Sequence, residues 1–568
     1  MSRIAVVATF LLLACIVLPA HAQQAANSCA DPYWQNTLRC KMLAVQAPNP
    51  MPPPQPVPEP PANVGAIKPY TRVELPDPAI RCVDGTRPII YVDKAVGPPS
   101  NRWLISTTGG ESCAAGDFDG LPGFENGNEC LRDYVTQQGQ LMGTATEESM
   151  STLADDNGNG ILSNNPLRNP VFARYNRIRV HKCGFDRHSG RATHLGVSAT
   201  VPNGGPTLSY DLYSHGQKIV LEALDFLRGP NQQGLSYPTW VNDGGTVTST
   251  VESLPSISAA EQVLLVGHSA AAHGLYQNAD RIADHLRAMP GFNGDVRVVH
   301  DAQFMPSVEN EAAFDPAQNP NPAIFNTLFQ QRMSGVTNAS GAYDSFWYHG
   351  SEDSHFADTY RAWLETPGDW AGVLDSSCVA THTPSNDVWK CTDRFHVRLH
   401  HESTPALLRE DFADPNDDHN NLPFGHMMWW GTPGVFAHCD GVAPDFFNFS
   451  PCVPSISFEQ NKARLMVQAS HFREGIYTQS EMASNADPSP DAGTIFIWMP
   501  ECGHHSGVYD DAQFLETSIV KDGSIKSYRE FLQDFAAAPA SGMLVSRIAH
   551  LDGATSECAP LLLHDGFE

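Results

Sequence analysis

Short apolar runs alternate with helical patterns along the main body of the chain. The strand candidates are residues 103–105, 177–180, 263–266, 296–299, 464–467 and 494–498. After the third of these runs, Leu275, Ala279, Ile282 and Leu286 recur at spacings of four, three and four residues, which places them on one face of a helix. Strands that alternate with helices predict an α/β fold with a mainly parallel sheet flanked by helices.

The N-terminus has the pattern of an export signal over residues 1–22. Arg3 precedes an apolar run over residues 4–19, and small residues flank a cleavage point at Ala20-His21-Ala22. This run is too short for a membrane span, so we expect no stable membrane insertion. The expected location is secreted or periplasmic, and attachment of a lipid to Cys15 is the alternative.

The remaining chain divides by composition. Residues 23–64 contain two cysteines and a Pro-rich stretch that predicts a semi-rigid linker. We expect one large domain over residues 65–553, with an insertion or lid at about 350–460, and a tail over residues 554–568. The insertion holds His400-His401, Trp429-Trp430 and four cysteines, Cys378, Cys391, Cys439 and Cys452.

Cysteine usage and charge narrow the class of function. Of 13 cysteines, 12 follow the export signal, which predicts up to six disulfides in an oxidising compartment. The chain contains no C-x-x-C pair, which argues against a zinc site. A net charge of −28 argues against a nucleic-acid partner and disfavours a polyanionic polymer as substrate.

Candidate chemistry centres on Ser269, which lies in Gly267-His268-Ser269-Ala270-Ala271, between a buried strand and an amphipathic helix. A tight strand-to-helix turn of this kind presents a nucleophilic serine, and small residues on either side permit it. The motif is G-x-S-x-A, a variant of the G-x-S-x-G pattern of α/β hydrolases. We therefore predict an α/β-hydrolase-type fold with Ser269 as its nucleophile.

A serine nucleophile needs a base, an acid that orients the base, and donors for the oxyanion. His504 and His505 follow the strand candidate at 494–498, and their order leaves both open as the base. Glu474 is the one carboxylate in residues 468–478, after the strand candidate at 464–467, and is predicted to be the acid. The N–H groups of Gly110, Glu111 and Ala270 are the predicted oxyanion donors.

Several segments resemble the pectin acetylesterase/Notum family of carboxylesterases. They are Trp103-Leu104 with Gly109-Gly110 and Cys113, Cys130-Leu131-Arg132, Gly160-Ile161-Leu162-Ser163-Asn164, Asn169-Pro170-Val171-Phe172, Cys183-Gly184, His268-Ser269-Ala270-Ala271-Ala272, Asp301-Ala302-Gln303-Phe304 and Cys502-Gly503-His504-His505. The resemblance implies an α/β-hydrolase fold, a Cys113–Cys130 bridge, and His505 as the base.

The sequence departs from the family pattern at three places. His268 replaces a cysteine, and Ala271 and Ala272 replace glycines, which predicts a more crowded turn. Glu111 replaces an aromatic residue beside the oxyanion site. In the family's V-Q-x-x-x-D loop, Phe472 takes the place of the aspartate, and Glu474 follows two residues later.

These features predict a secreted serine carboxylesterase that acts on an acyl ester without a cofactor. Family members deacetylate pectin or remove a fatty acyl group from a signalling protein, so the acyl length stays open. We expect O-acetyl esters, with an acetylated glycan as the candidate partner, and the sequence leaves the oligomeric state undetermined. The alternatives are a catalytically impaired binding protein on an esterase scaffold, and a polyester depolymerase or lipase.

Overall fold

The computed structural model describes residues 70–83, 85–107, 109, 160–184, 186–200, 207–243, 246–302, 373–385, 391, 394–410, 495–500, 507–515, 517–521, 524–539 and 547–549. Within these residues a central sheet contains nine strands, β1 (Thr71–Glu74), β2 (Ile89–Asp93), β3 (Arg102–Thr107), β4 (Asn176–Val180), β9 (Gln262–His268), β10 (Asp295–Asp301), β11 (Ala406–Arg409), β12 (Ile495–Trp498) and β15 (Arg547–Ala549).

Three antiparallel pairs lie outside the central sheet: β5 (Ala192–Thr200) with β6 (Thr207–Ser214), β7 (Leu235–Asp243) with β8 (Thr246–Leu254), and β13 (Ser518–Lys521) with β14 (Ser524–Ser527). The described helices are α1 (Gly216–Arg228), α2 (Ala270–Ala288), α3 (Ser376–His382), α4 (Arg394–His400), α5 (Asp511–Leu515) and α6 (Tyr528–Ala537).

The strand order of the central sheet is β1-β2-β4-β3-β9-β10-β11-β12-β15. Strand β2 runs antiparallel to both of its neighbours, β1 and β4, whereas the remaining described neighbours pair in parallel. This order, with its one reversed strand near the edge, is that of an α/β hydrolase. The predicted fold class is therefore confirmed.

The two faces of the sheet are covered by different helices. Along β9, Val263 and Leu265 pack into a buried core shared with α2, and the intervening Leu264 and Val266 pack into a second core shared with α6. This alternation follows from the two-residue repeat of a strand. The predicted apolar face of α2 is buried at each of its four positions, Leu275, Ala279, Ile282 and Leu286. Burial of each leucine or isoleucine side chain contributes about 1.5–3 kcal/mol.

Residues 373–410 fall inside the predicted insertion, and the structure describes part of them. Helices α3 and α4 lie within it, and the Cys378–Cys391 disulfide links α3 to a residue that precedes α4. Strand β11, however, is a member of the central sheet, paired in parallel with β10 and β12. The range 350–460 is therefore not one continuous insertion, because residues 406–409 form a strand of the central sheet.

Several predicted features lie outside the described residues. These are the export signal, the linker, the strand candidate at 464–467, the Cys113–Cys130 bridge and the C-terminal tail. Two disulfides lie within the described ranges, Cys82–Cys183 and Cys378–Cys391. Among the helices that the structure describes, none is long and apolar enough to cross a membrane.

The two disulfides should differ in their effect on stability. A bridge stabilises mainly by restricting the unfolded chain, and the restriction grows with the length of the closed loop. Cys82 and Cys183 are 101 residues apart, so replacing both with serine should lower the free energy of unfolding by about 4.7 kcal/mol. Cys378 and Cys391 are 13 residues apart, and their replacement should cost about 3 kcal/mol.

Urea unfolding without reductant, followed by circular dichroism, measures both effects on the same chain. A larger loss from removing the shorter bridge would contradict the loop-length argument.

Candidate active site

Ser269 occupies a strained turn between β9 and α2. Its backbone angles are φ 56° and ψ −131°, a conformation that residues other than glycine rarely adopt. Strand β9 ends at His268 and α2 begins at Ala270, so the turn consists of Ser269 alone. Strain of this kind persists only where the surrounding structure holds it, and it is the conformation of a nucleophile elbow.

Two glycines permit this turn. A Cβ atom at Gly267 would lie 2.8 Å from the Cα of Ala272 and 2.9 Å from the carbonyl oxygen of Ala271. A Cβ atom at Gly109 would lie 2.4 Å from the carbonyl oxygen of His268 and 2.6 Å from the Cβ of Ser269. The chain after β3 therefore packs against Ser269, and a larger residue at 109 would displace one of the two segments.

The first turn of α2 accommodates the alanines that replace the family's glycines. Ala270, Ala271 and Ala272 are all buried, and the amides of Ala272 and His273 donate to the carbonyl oxygen of Ser269. The missing side chain at Gly267 makes room for this turn. The N–H groups at the start of a helix have no partner within the helix and favour negative charge, which suits Ala270 as an oxyanion donor.

The carboxyl ends of the parallel strands meet around one buried carboxylate, that of Asp301 at the end of β10. Its Oδ2 accepts hydrogen bonds from His268 Nδ1 at 2.9 Å, from the Gly507 amide at 3.2 Å and from the Val508 amide at 3.3 Å. Its Oδ1 accepts from the Tyr528 hydroxyl at 3.4 Å.

A cation and a backbone contact complete this centre. Arg409 Nε, at the end of β11, lies 3.5 Å from Asp301 Oδ1, and both side chains are buried. The Ser269 amide donates to the carbonyl oxygen of Asp301 at 2.9 Å. Asp301 thereby joins the nucleophile's strand, the end of β11 and the loop after β12.

Asp301 is held in its ionised form. Burial alone would raise the pKa of Asp301, but the charge of Arg409 and the hydrogen bond from His268 lower it below its ordinary value. Since an ionised carboxylate only accepts hydrogen bonds, His268 must donate through Nδ1–H. This fixes the tautomer of the imidazole that directly precedes the nucleophile.

Tyr509 links the same centre to β3. Its hydroxyl is hydrogen-bonded to Ser106 Oγ and donates to the carbonyl oxygen of Thr107 at 3.4 Å. Burial raises the pKa of Tyr509 to about 12, although the hydrogen bond with Ser106 opposes the shift. The Tyr509 ring stands edge-on to His268, with 5.5 Å between ring centroids. The protonated tyrosine therefore connects the end of β3, which leads to Gly109, with the loop after β12.

The structure describes two of the six predicted site residues, Ser269 and Ala270. His505, Glu474, Gly110 and Glu111 lie outside the described residues. Among the described residues, Gly109 packs against Ser269, and Gly507 and Val508 bind Asp301.

The network around Asp301 was not predicted as part of the site. The available signal was a carboxylate at the carboxyl end of a parallel strand, next to the strand of the nucleophile. Asp301 entered the sequence argument only through the family motif. The role of Arg409 was also missed, because β11 was not among the predicted strands.

Asp301 provides a test of this network. The variant Asp301→Asn keeps the shape of the side chain but leaves Arg409 without its counter-charge, so it should lower the free energy of unfolding by about 3–5 kcal/mol at pH 7. Because folding lowers the pKa of Asp301, this contribution is complete above the unfolded value of about 3.9 and is lost as the pH falls through the folded value.

Urea unfolding of both proteins at a series of pH values measures this difference. The matched control is Asp284→Asn, since the Asp284 side chain is 75% exposed on α2. A gap between wild type and Asp301→Asn that persists unchanged at pH 2 would contradict the assignment.

Comparisons with known proteins show which family this chain resembles. Residues 67–233 match the family model described as Pectinacetylesterase. The palmitoleoyl-protein carboxylesterase NOTUM of Schmidtea mediterranea is 26% identical over 208 residues, which are 37% of this chain and 29% of that protein. The match thus spans less than a third of the curated relative.

Two solved crystal forms of the Wnt deacylase Notum from Drosophila are also similar to this chain. Form II has a TM-score of 0.48 and 15% identity, covering 86% of this chain and 97% of the Drosophila chain. Form I has a TM-score of 0.45 and 16% identity, covering 85% and 98%. The family match and the NOTUM similarity confirm the resemblance to the pectin acetylesterase/Notum carboxylesterases that the motifs predict.

Proposed function

We propose that this protein hydrolyses acyl esters, with Ser269 as the nucleophile. The observation that carries the proposal is the conformation of Ser269, a non-glycine residue at φ 56° in a one-residue turn between a central strand and a helix. A turn that served only to connect β9 and α2 would be relaxed by a glycine at this position. The presence of a serine at position 269 instead of a glycine is explained by a reaction of its hydroxyl.

The proposed reaction follows the serine-esterase sequence. His505 takes the proton of the Ser269 hydroxyl as Oγ attacks the ester carbonyl carbon. The N–H groups of Gly110, Glu111 and Ala270 stabilise the oxyanion, and His505 returns the proton to the leaving alcohol oxygen. A water molecule, deprotonated by His505, then attacks the acyl-enzyme, and collapse of the second tetrahedral species releases the carboxylic acid and regenerates Ser269.

His268 and Asp301 position this machinery. The hydrogen bond from His268 to Asp301 and the edge contact of Tyr509 hold the imidazole in place beside the nucleophile. Asp301 also binds the two amides that follow the histidine pair in sequence, at residues 507 and 508. Since its two oxygens already receive these donors, the Tyr528 hydroxyl and Arg409, we do not assign Asp301 as the acid that orients His505.

The acid has two candidate locations. Glu474 is the prediction from sequence and lies outside the described residues. The sheet supports a second location, because β11 stands between β10 and β12 and its carboxyl end is adjacent to the strand that precedes His505. The amide of Glu410 donates to the Trp498 carbonyl oxygen at 3.2 Å, and Asp411 and Asp414 follow in sequence. We favour this second location.

We propose an O-acetylated, neutral or weakly charged glycan as the substrate. The family model that matches residues 67–233 is that of pectinacetylesterases, which supports an acetyl group. A net charge of −28 would repel a polyanionic polymer at long range, which disfavours a strongly acidic glycan. The export signal predicted from the sequence and the described disulfides support action outside the cytoplasm.

The variant Ser269→Ala tests the nucleophile. It should lower kcat for p-nitrophenyl acetate by about 10⁴-fold or more, since removal of the hydroxyl abolishes formation of the acyl-enzyme. The matched control is Ser236→Ala, an exposed serine of β7, which should leave kcat unchanged. Initial rates on acetyl, butyryl and octanoyl esters measure both the effect and the preferred acyl length.

Each alternative function gives a different result in this assay. Equal hydrolysis by wild type and Ser269→Ala would exclude Ser269 as the nucleophile. Absence of Ser269-dependent hydrolysis at every chain length would indicate a binding protein on an esterase scaffold. Clearing of a polyester emulsion, with octanoyl esters turned over faster than acetyl esters, would indicate a depolymerase or lipase.

Isosteric variants locate the acid. Loss of the carboxylate that orients His505 should lower kcat by about 10⁴-fold, because the base then adopts the wrong tautomer. We expect this loss in Asp411→Asn or Asp414→Asn and near-wild-type kcat in Glu474→Gln. The opposite pattern would place the acid at Glu474, and wild-type kcat in all three variants would exclude both locations.

A further inference from the structure

Three buried histidines converge in the segment that connects β10 with β11. His382 is the last residue of α3, His396 lies within α4, and His401 follows the end of α4. All three side chains are buried, and we call them the histidine cluster. The Cys378–Cys391 disulfide links α3 to a residue that precedes α4, and His382 and His396, which are 14 positions apart in sequence, lie in contact.

The ring nitrogens of the cluster lie within the range of one coordination sphere. Nε2 of His382 is 2.9 Å from Nε2 of His396. One ligand atom from each of His382, His396 and His401, together with Sγ of Cys378, lies within 4.8 Å of the others. Zinc binds imidazole nitrogen at about 2.0–2.1 Å in a tetrahedron, which puts two ligating nitrogens about 3.3 Å apart. Small rotations of the side chains would therefore admit one ion.

His401 has the outer contact that metal-bound histidines commonly have. Its Nδ1 lies 3.2 Å from Ser377 Oγ, and that hydroxyl donates to Asp375 Oδ1 at 2.7 Å. Since the Ser377 proton is directed to Asp375, Ser377 Oγ can accept a proton from His401 Nδ1–H. This hydrogen bond would select the tautomer in which Nε2 carries the lone pair, as outer carboxylate and hydroxyl partners do in metal sites.

The packing of α4 makes the cluster part of a rigid unit. Asp280 of α2 accepts hydrogen bonds from the amides of Ser403 and Thr404, each at 2.8 Å. His300 of β10 contacts Glu402 at 3.0 Å, and Arg398 of α4 lies 3.1 Å from the same carboxylate. These contacts fix the chain directly after the cluster to the central sheet, so the ligands would be positioned in advance of metal binding.

We propose that His382, His396 and His401 bind one divalent transition-metal ion, with Zn²⁺ as the probe, and that this ion cross-links α3 to α4. With Cys378 oxidised, the protein supplies three neutral imidazoles, and water completes the tetrahedron. The absence of C-x-x-C pairs in the sequence argues only against metal sites built from cysteines. The ligands proposed here are histidines, one in α3, one in α4 and one directly after α4.

Metal binding by the full-length chain tests this proposal. Protein with intact disulfides is stripped with chelator, dialysed, and titrated with Zn²⁺ against a chromophoric competitor, and its bound metal is measured by mass spectrometry. We expect wild type to bind one Zn²⁺ ion more than the His382→Gln and His396→Gln variants bind. If the variants still bind this ion, we expect their affinity for it to be at least about 100-fold lower. The matched control is His285→Gln, a partly exposed histidine on α2, which should bind like wild type.

Two further readouts keep the proposal testable where a variant folds poorly. The melting temperature of wild type should rise on addition of Zn²⁺, since a ligand that binds only the folded state stabilises it. X-ray absorption of wild type with one equivalent of Zn²⁺ should show three imidazole nitrogens at about 2.0–2.1 Å. The proposal is overturned if wild type binds no Zn²⁺ at micromolar concentration, if the cluster variants bind exactly as wild type does, or if the absorption spectrum lacks imidazole. In those cases the 2.9 Å contact is a hydrogen bond between two histidines.

Discussion

The buried carboxylate of Asp301 is the constraint on which the active-site edge depends. A buried charge is tolerated only when it is paired and hydrogen-bonded. Here the partners come from the strand of the nucleophile, from the end of β11 and from the loop after β12. Any arrangement that separated these elements would leave Asp301 or Arg409 as an uncompensated charge in the core. The requirement to satisfy one carboxylate therefore brings together segments that are more than 200 residues apart in sequence.

The strain at Ser269 is retained because rigid elements hold both sides of the turn. β9 is paired along its length with β3 and β10, and α2 is anchored by a long apolar face. Gly267 and Gly109 remove the side chains that would otherwise collide with the turn and with the adjacent chain. The turn at Ser269 thus depends on two positions where no side chain fits, in agreement with the general finding that backbone strain collects at functional sites.

The sequence was most informative where the signal is local. The strands around Trp103, Val263 and Val296, the apolar face of α2 and the elbow at Ser269 are each encoded within a few consecutive residues, and all were predicted. Strand β11 was missed because its apolar run is short and ends in Arg409 and Glu410, charged residues that are nevertheless fully buried in the fold. Charged residues at the end of a short run usually indicate a surface loop, whereas in the fold Arg409 is buried beside its counter-charge, Asp301.

The features that could not be predicted are those that depend on long-range pairing. The contact of His268 with Asp301 and that of Tyr509 with Ser106 join residues whose sequence positions carry no mutual signal. The histidine cluster is likewise formed by the packing of α3 against α4, and its members are separated by a disulfide loop. Residue type gives the chemistry of each group, whereas the topology of the sheet and the bridges determines which groups meet.

The most direct test of the central claim is labelling with a fluorophosphonate, which reacts with a serine hydroxyl only when the site activates it. Intact-protein mass spectrometry followed by peptide mapping measures both the number and the position of the adducts. We expect one adduct per chain, on the peptide that contains Ser269. An unlabelled protein, or a single adduct on another serine, would contradict the assignment of Ser269 as an activated nucleophile.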